Sequence, residues 1–265
     1  MQTSDGFFYQ QGRYNKKAQN SSTDELRTLP DKTLQDKTLQ DKTAPPLRFY
    51  LDTADADMHR QWLSTGLFYG VTCNPLLLER ANVPCTTNRL AKLAEQACEL
   101  GAQEVHLQAW GDTSAKLIEV GQALAKASDR IIVKLPATQI GTTAARVLIQ
   151  KGIPITLTAV YATHQVLIAA AIGASYAAPY LGRISDSGKD GLAEVANMQR
   201  TLRSINSPAR LLTASIRQIE DIAVLAAQGV DTFTFSDKIA QSFFNQADTE
   251  QAALDFEQAA LRIMP

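Results

Sequence analysis

The chain has 265 residues, of which 45% are hydrophobic and 20% charged, and its formal net charge is -1. This length and balance are typical of one large globular domain or two small ones. The near-neutral charge predicts neither a nucleic-acid nor a membrane partner, and no apolar run approaches the ~20 residues of a membrane span. Three cysteines, Cys73, Cys85 and Cys98, form no CxxC pair, which predicts a reducing, cytoplasmic compartment without a disulfide framework.

Residues 1–47 differ in composition from the rest of the chain. They are rich in Gln, Asn, Thr, Lys and Asp, and a short repeat starts at Asp31, Asp36 and Asp41. This segment has too little apolar surface to offset the entropy of ordering it, so we expect a disordered or loosely helical extension. A transit peptide is the alternative, but such peptides are poor in acidic residues and this segment has six. We therefore predict one folded domain over residues 48–265.

From residue 48 onward, short apolar runs alternate with helical stretches. The predicted strands are 48–52, 68–71, 104–108, 131–135 (closed by Pro136), 155–157, 175–179, 210–214 and 231–235. The clearest predicted helices are 86–100, 141–152, 163–173, 191–205, 238–246 and 249–262. Asp112 is predicted to cap the helix that carries Leu117, Val120 and Leu124, and a loop rich in Gly, Asp and Ser is predicted after the sixth strand.

Eight strands that alternate with helices predict a parallel (β/α)8 TIM barrel. A doubly wound open sheet is the alternative fold. When such a sheet binds a nucleotide, a glycine-rich turn usually follows its first strand. Here the first strand is followed by Asp52-Thr-Ala-Asp55, which contains no glycine and favours the barrel.

The fourth strand contains a lysine among apolar residues, Ile131-Ile-Val-Lys134-Leu-Pro136. Burying an ammonium group is unfavourable unless it is paired or loses its proton. One interpretation is a structural lysine whose amine reaches water at the strand end. The other is a nucleophilic lysine, whose free amine attacks a carbonyl carbon and forms a Schiff base.

Polar residues follow almost every predicted strand, and in a parallel barrel those strand ends form the catalytic face. They are Asp52, Asn74, Gln108, Lys134, Thr158, Tyr180 with Arg183, and Ser215 with Arg217. A Schiff-base lysine needs a proton shuttle, which Asp52 could provide directly or through a water. Hydroxyl and amide groups could hold that water, and Asn74 could hold a substrate hydroxyl. The two arginines and Ser215 suit a phosphate group.

Several segments together resemble the transaldolase family, most closely its short branch, which includes fructose-6-phosphate aldolase. They are Tyr50-Leu-Asp-Thr-Ala-Asp55, Val71-Thr-Cys-Asn-Pro75, Val133-Lys-Leu-Pro136, Thr158-Ala-Val-Tyr161, Ala178-Pro-Tyr-Leu-Gly-Arg183 and Ala214-Ser-Ile-Arg217. The resemblance covers about residues 48–240. It implies a TIM barrel of the class I aldolase type, a homo-oligomer, sugar-phosphate substrates, and no metal or organic cofactor.

The resemblance also implies a role for individual residues. Lys134 matches the Schiff-base residue and Asp52 the proton-transfer acid, while Gln108 and Thr158 match residues around a catalytic water. The remaining matches are the catalytic Tyr180 and the substrate-binding residues Thr72, Asn74, Arg183, Ser215 and Arg217.

Two of these positions bear on the reaction. Transaldolases of the family generally carry glutamate where this chain has Gln108, and the large ones carry phenylalanine where it has Tyr180. A phenol can move a proton onto a carbanionic intermediate, which favours release of a free ketone. We therefore predict cleavage or formation of fructose 6-phosphate, with dihydroxyacetone transfer by a transaldolase as the alternative. A non-catalytic phosphosugar-binding barrel is a second alternative, which the presence of both Lys134 and Asp52 disfavours.

Two further residues near the predicted site have simpler interpretations. Cys73 stands where the short branch more often has threonine, and we interpret it as a packing residue rather than a redox group. His106 lies on the same strand face as Gln108, one layer deeper in the barrel. We expect it to be a buried, hydrogen-bonded histidine, with a pH switch as the alternative.

Overall fold

The computed structural model describes residues 47–264, which form a closed barrel of eight parallel strands in chain order. The strands are β1 Arg48–Asp52, β2 Gly70–Thr72, β3 Glu104–Gln108, β4 Ile131–Pro136, β5 Ile155–Val160, β6 Tyr176–Pro179, β7 Arg210–Thr213 and β8 Thr232–Phe235. β8 pairs with β1 and closes the sheet. The predicted (β/α)8 barrel is confirmed and the open sheet is excluded. The predicted extension, apart from Leu47, lies outside the described residues.

Helices follow the strands and surround the barrel. They are α1 Ala56–Leu63, α2 Pro75–Arg80, α3 Thr87–Glu99, α4 Ser114–Ala125, α5 Gln139–Gln150, α6 Thr163–Ile172, α7 Leu181–Asp186, α8 Gly191–Ser204, α9 Ile219–Ala227, α10 Asp237–Ser242 and α11 Ala247–Ile263. On α4 the predicted apolar residues Leu117, Val120 and Leu124 are all buried, because their helical spacing places them on one face. None of the helices within residues 47–264 has the length and apolarity needed to cross a membrane.

Local details of the prediction were wrong where short-range chemistry decided the outcome. Thr113, not Asp112, caps α4, because its side chain accepts a hydrogen bond from the Lys116 backbone. The second strand begins later than expected, at Gly70. The predicted loop after β6 contains the short helix α7, and the unpredicted helix α2 begins at Pro75, a residue that suits the first turn of a helix.

Alternating residues of each strand divide the interior into two regions. Outward side chains pack against the helices in one large apolar core. Among residues 47–264, the apolar group inside the barrel is small and consists of Tyr50, Ile132, Tyr176, Ala178 and Leu212. Most TIM barrels fill this space with bulky branched residues. Here much of it holds polar side chains instead, including buried Thr72, His106, Lys134, Thr156 and Thr234.

Candidate active site

A cavity of about 610 Å³ opens at the carboxyl ends of the strands. Its lining includes most of the predicted site residues: Asp52, Asn74, Gln108, Lys134, Tyr180, Arg183, Ser215 and Arg217. Thr72 and Thr158 do not line it, but each forms a hydrogen bond with a residue that does. The residues selected from the ends of seven strands are therefore brought together.

Lys134 reaches this cavity from inside the barrel wall. It follows Ile132 by two positions on β4, so both side chains point inward, and the lysine is only 3% exposed. Its register partners are Gln108 on β3 and Thr156 on β5. The interpretation of Lys134 as a lysine that extends to bulk water does not agree with this burial. Its side chain instead lines the cavity.

Asp52 is held in place by two threonines. Thr72 Oγ1 donates a hydrogen bond to Asp52 Oδ1 over 2.6 Å, and it lies 2.6 Å from Thr234 Oγ1. A hydroxyl has a single hydrogen. Because Thr72 gives its hydrogen to the carboxylate, the second bond must be donated by Thr234. The pair fixes one oxygen of Asp52 and leaves the other available toward the cavity.

Thr158 and Tyr180 connect the ends of β5 and β6. Their hydroxyl oxygens are 2.9 Å apart. The pairing of these strands shifts at Thr158 and Val160, and between them Ala159 adopts a positive φ of 58°. Such a backbone is costly for alanine, and bulges next to active sites commonly redirect side chains. This bulge could not be predicted from the sequence, since an alanine residue does not indicate a left-handed backbone conformation.

One of the two polar atoms of the Asn74 side-chain amide has a structural role. Its side-chain oxygen caps α2, accepting hydrogen bonds from the backbone of Leu76 at 3.0 Å and Leu77 at 3.2 Å. The amide nitrogen is left to donate into the cavity, which suits a substrate hydroxyl or carbonyl oxygen. The neighbouring Cys73 thiol is buried and donates to the Asn74 carbonyl oxygen. Burial, assisted by the charge of Asp52, raises the pKa of that thiol to about 12, so it stays protonated.

The end of the cavity that contains the two arginines includes an ion pair that the sequence did not predict. Arg217 forms a two-pronged ion pair with Asp186, a cavity residue that the prediction missed. Asp186 lies one helical turn after Arg183 on α7, and this spacing was the only available signal. The Arg217 guanidinium lowers the pKa of the Asp186 carboxyl. Any anion that binds Arg217 must therefore share it with this carboxylate or displace the carboxylate.

Arg183 and Ser215 complete that end. The Arg183 guanidinium carbon lies 5.1 Å from the centre of the Tyr180 ring, and a hydrogen bond with Tyr161 raises the pKa of Arg183. Ser215 has a positive φ of 59°, and its carbonyl oxygen accepts a 2.9 Å hydrogen bond from the Gly182 backbone. A Cβ at Gly182 would lie 2.6 Å from that oxygen and 2.7 Å from Arg217 Nε, so only glycine permits this approach.

Comparisons with known proteins show what the chain is similar to. The model of the family described as "Transaldolase/Fructose-6-phosphate aldolase" matches residues 49–264. A "Probable transaldolase" of Geobacillus sp. (strain WCH70) is 30% identical over 79% of this chain and 96% of its own length. One of Coprothermobacter proteolyticus is 28% identical over 79% of this chain and 94% of its own length.

Among solved structures, the chain is similar to one described as "Native KDPGal structure". The TM-score is 0.52 with 15% sequence identity, and the match covers 73% of this chain and 84% of the other. At this identity the likeness concerns the fold alone.

Proposed function

Because this chain belongs to the transaldolase and fructose-6-phosphate aldolase family, we propose that it cleaves and forms fructose 6-phosphate through a Schiff base on Lys134. The products of cleavage are dihydroxyacetone and glyceraldehyde 3-phosphate. One observation carries this choice within the family: the cavity that Lys134 enters also contains the Tyr180 phenol, which is hydrogen-bonded to Thr158. Family members are enzymes of the aldolase and transaldolase type, and this chain is one of them.

The reaction begins when the Lys134 nitrogen attacks the C2 carbonyl of the ketose. A C–N bond forms and the carbonyl oxygen takes up a proton, giving a carbinolamine. Loss of that oxygen as water requires a second proton, which Asp52 supplies directly or through a water held near Gln108 and Thr158. The product is an iminium ion whose positive charge withdraws electrons from C3. Asp52 is suited to this shuttle because Thr72 fixes only one of its oxygens.

Cleavage follows when a base removes the proton from the C4 hydroxyl. The electrons of that O–H bond form the aldehyde carbonyl, the C3–C4 bond breaks, and its electron pair neutralises the iminium to give an enamine. Asp52, now a carboxylate, is the base in this proposal. Asn74 donates to substrate oxygens, while Arg183, Arg217 and Ser215 hold the phosphate of the departing aldehyde.

Release of free dihydroxyacetone requires a proton on C3 of the enamine. We propose that the Tyr180 phenol donates this proton through a bound water. Its hydrogen bond with the Thr158 hydroxyl gives the phenol a neighbour from which it can regain a proton. The iminium regained by this step is hydrolysed by water, which frees Lys134. Gln108 supports this path, because an amide beside Lys134 does not compete for protons as a carboxylate would.

Transaldolase activity is the second candidate. Here the enamine attacks another aldehyde instead of taking a proton, so that a dihydroxyacetone unit passes from sedoheptulose 7-phosphate to glyceraldehyde 3-phosphate. The names of the curated relatives favour it, since those reported above are each called a probable transaldolase. Both candidates share Lys134, Asp52 and the phosphate-binding residues, and they differ in how the enamine is discharged.

An acceptor-dependence assay distinguishes the two candidates. Purified protein is incubated with fructose 6-phosphate, with and without erythrose 4-phosphate, and glyceraldehyde 3-phosphate is followed by a coupled reduction. We expect its release in the absence of the acceptor. Release only when erythrose 4-phosphate is present would identify a transaldolase. Absence of release in both conditions would favour the non-catalytic phosphosugar-binding barrel.

We further propose that the enzyme works as a homo-oligomer in a reducing cytoplasm. Free thiols at Cys73, Cys85 and Cys98 are compatible with that compartment. The helix α11 has no buried residue within the described chain, and Phe256 and Ile263 on it are largely exposed. Size-exclusion chromatography with light scattering would measure the assembly, and a monomer would contradict the proposal.

A further inference from the structure

A polar cluster fills the barrel interior beneath the cavity, and the mechanism above does not use it. This interior cluster consists of Arg48, Tyr50, Glu104, His106 and Tyr176. Glu104 accepts hydrogen bonds from the hydroxyls of Tyr50 and Tyr176, each at 2.7 Å, and forms an ion pair with Arg48 at 3.2 Å. Burial opposes ionisation of Glu104, but bonds from His106 and the two tyrosines outweigh it and lower the pKa of Glu104 to about 2. The carboxylate is therefore an acceptor only.

The charge of Glu104 decides which nitrogen of His106 carries a hydrogen. His106 is fully buried, with Nε2 lying 3.2 Å from Glu104 Oε2 and Nδ1 lying 2.9 Å from Thr156 Oγ1. Facing an acceptor, Nε2 must be the donor. In a neutral imidazole the other nitrogen then accepts, so the Thr156 hydroxyl donates its hydrogen to Nδ1.

Thr156 connects this arrangement to the reactive lysine. It is the register partner of Lys134 on the neighbouring strand, and both side chains point into the barrel and are buried. Because the hydrogen of Thr156 is engaged by His106, the Thr156 oxygen offers only lone pairs to its other neighbours in the barrel interior. Lone pairs there favour a cationic nitrogen, as in the iminium intermediate.

We propose that neutral His106 is a positioning residue for Lys134, which acts by holding the Thr156 hydroxyl with its lone pairs toward the lysine. This inference rests on the proposed function, since it concerns the Schiff-base nitrogen. Protonation of His106 would reverse the arrangement. Nδ1 would become a donor, Thr156 would turn its hydrogen away from the ring, and a second positive charge would lie near the iminium.

The surroundings of His106 favour the neutral form at neutral pH. Burial lowers the pKa of His106 below its ordinary 6.5, against the opposing effect of Glu104 on the same strand. Lys134 on β4 and Arg48 on β1 act in the same direction as burial. Tyr50 on β1 and Tyr176 on β6 contact the ring edges, each with centroids 4.8 Å apart, and burial keeps both phenols protonated by raising their pKa values.

The first test measures borohydride trapping of the Schiff base in wild type and in His106→Asn, from pH 8 down to pH 5. At pH 8 we expect the variant to be trapped about tenfold more slowly, within the range that a slightly misplaced reacting group costs. As the pH falls through the lowered pKa of His106, the wild type itself loses the neutral imidazole, so the ratio between the two rates should approach one. A variant trapped at the wild-type rate at pH 8, or a ratio that stays constant across the pH at which nitrogen-15 shifts show His106 taking up a proton, would overturn the inference.

His59→Asn is the matched control. His59 is also buried, and burial likewise lowers its pKa, but it lies on α1, where Nε2 bonds to the Thr53 carbonyl oxygen at 3.2 Å. Loss of packing at this site affects stability without touching the interior cluster. We expect its trapping rate to stay parallel to that of wild type at every pH. The same pH-dependent convergence in His59→Asn would overturn a specific role for His106.

A double-mutant cycle tests the path through Thr156 and remains available if His106→Asn does not fold. Thr156→Val should slow trapping about as much as His106→Asn, and combining the two should slow it no further, because both remove one arrangement. Thr156→Ser should restore the rate. Effects that multiply in the double variant, or a Thr156→Val variant with wild-type kinetics, would overturn the inference.

A spectroscopic readout separates this inference from the proposed function. Nitrogen-15 shifts of labelled His106 report the tautomer with no substrate present. We expect a neutral ring with its hydrogen on Nε2 at pH 7.5, and a cationic ring or one protonated on Nδ1 alone would contradict the inference. If wild type gives this spectrum but forms no Schiff base, the proposed function fails and the tautomer assignment stands.

Discussion

The hydroxyl oxygens of Thr158 and Tyr180 lie 2.9 Å apart and join the ends of β5 and β6 beside the lysine cavity. The strand β5 bulges at Ala159, immediately after Thr158, which reorients this strand end relative to β6. The phenol thus has a hydroxyl partner with which it can exchange protons. This pairing is the structural basis for expecting the enamine to be protonated rather than passed to an acceptor.

Replacing Tyr180 with Phe tests that expectation directly. The variant should still form the Schiff base, because Lys134 and Asp52 are unchanged, but its release of free dihydroxyacetone should fall by about 10²-fold, the scale of a lost proton donor. Transfer to erythrose 4-phosphate should fall much less. Both rates are measured by following glyceraldehyde 3-phosphate with and without erythrose 4-phosphate. Tyr161→Phe removes a phenol from the same cavity without touching Thr158, and an equal change of the transfer-to-cleavage ratio in both variants would contradict the role of Tyr180.

Gln108→Glu, like Tyr180→Phe, should raise the ratio of transfer to cleavage. A carboxylate beside Lys134 competes for the proton that the enamine needs and stabilises the cationic iminium. We expect more transfer per cleavage event than in wild type, measured with and without erythrose 4-phosphate. An unchanged ratio would remove Gln108 from the explanation of which reaction the enzyme performs.

Thr72→Val should reduce turnover more than substrate binding. The substitution keeps the side-chain shape but removes the 2.6 Å hydrogen bond to Asp52, and hydrogen bonds to charged groups are worth about 1.5–3 kcal/mol. A loss of that size in the transition state lowers kcat by about 10- to 100-fold. Thr234→Val, which removes the partner of Thr72 and not of Asp52, should lower kcat less. A change confined to KM would show that Asp52 does not depend on this bond.

Asp186→Asn should tighten the binding of phosphorylated substrates. The carboxylate occupies both sides of the Arg217 guanidinium fork, so its removal frees donors for a phosphate. KM for fructose 6-phosphate should fall, while KM for unphosphorylated fructose should not change. Steady-state kinetics at low and high salt would measure both. A higher KM for the phosphate ester would show that Asp186 orients Arg217 for binding rather than competing with the ligand.

Glu104 should make stability depend on pH in the acid range. Its pKa in the folded chain is about 2, below the ordinary 4.5, so its ionised form stabilises the fold above pH 4.5 and this contribution is lost as the pH falls toward 2. Such a shift corresponds to about 3 kcal/mol. Urea unfolding should therefore separate wild type from Glu104→Gln more at pH 6.5 than at pH 3.5. Glu119→Gln, at an exposed position, is the control and should change stability little at either pH. A pH-independent difference between wild type and Glu104→Gln would contradict the lowered pKa of Glu104.

The barrel and much of the site were predictable because they follow from local rules. An apolar strand with one lysine, and polar residues just after other strands, are visible without coordinates, and parallel strands must bring those ends together. Lys134, Asp52 and Asn74 were selected in this way, and all three line one cavity.

Features that join distant parts of the chain could not be predicted in the same way. The interior cluster unites Arg48, Glu104 and Tyr176, whose contacts depend on the register of strands far apart in sequence. The pairing of Asp186 with Arg217 likewise depends on where α7 lies relative to the residues after β7. A local feature was also predicted wrongly where two neighbouring residues suit the same helix cap. Asp112 and Thr113 are both good caps, and only the backbone geometry selects Thr113.

The most direct measurement is to locate the Schiff base itself. Protein incubated with dihydroxyacetone or fructose 6-phosphate is reduced with borohydride, digested and mapped by mass spectrometry, with Lys134→Arg treated in parallel. We expect one reduced adduct, on the peptide that contains Lys134, and none in the variant. An adduct on a different lysine, or an equal yield of adduct in Lys134→Arg, would contradict the assignment of Lys134 as the nucleophile.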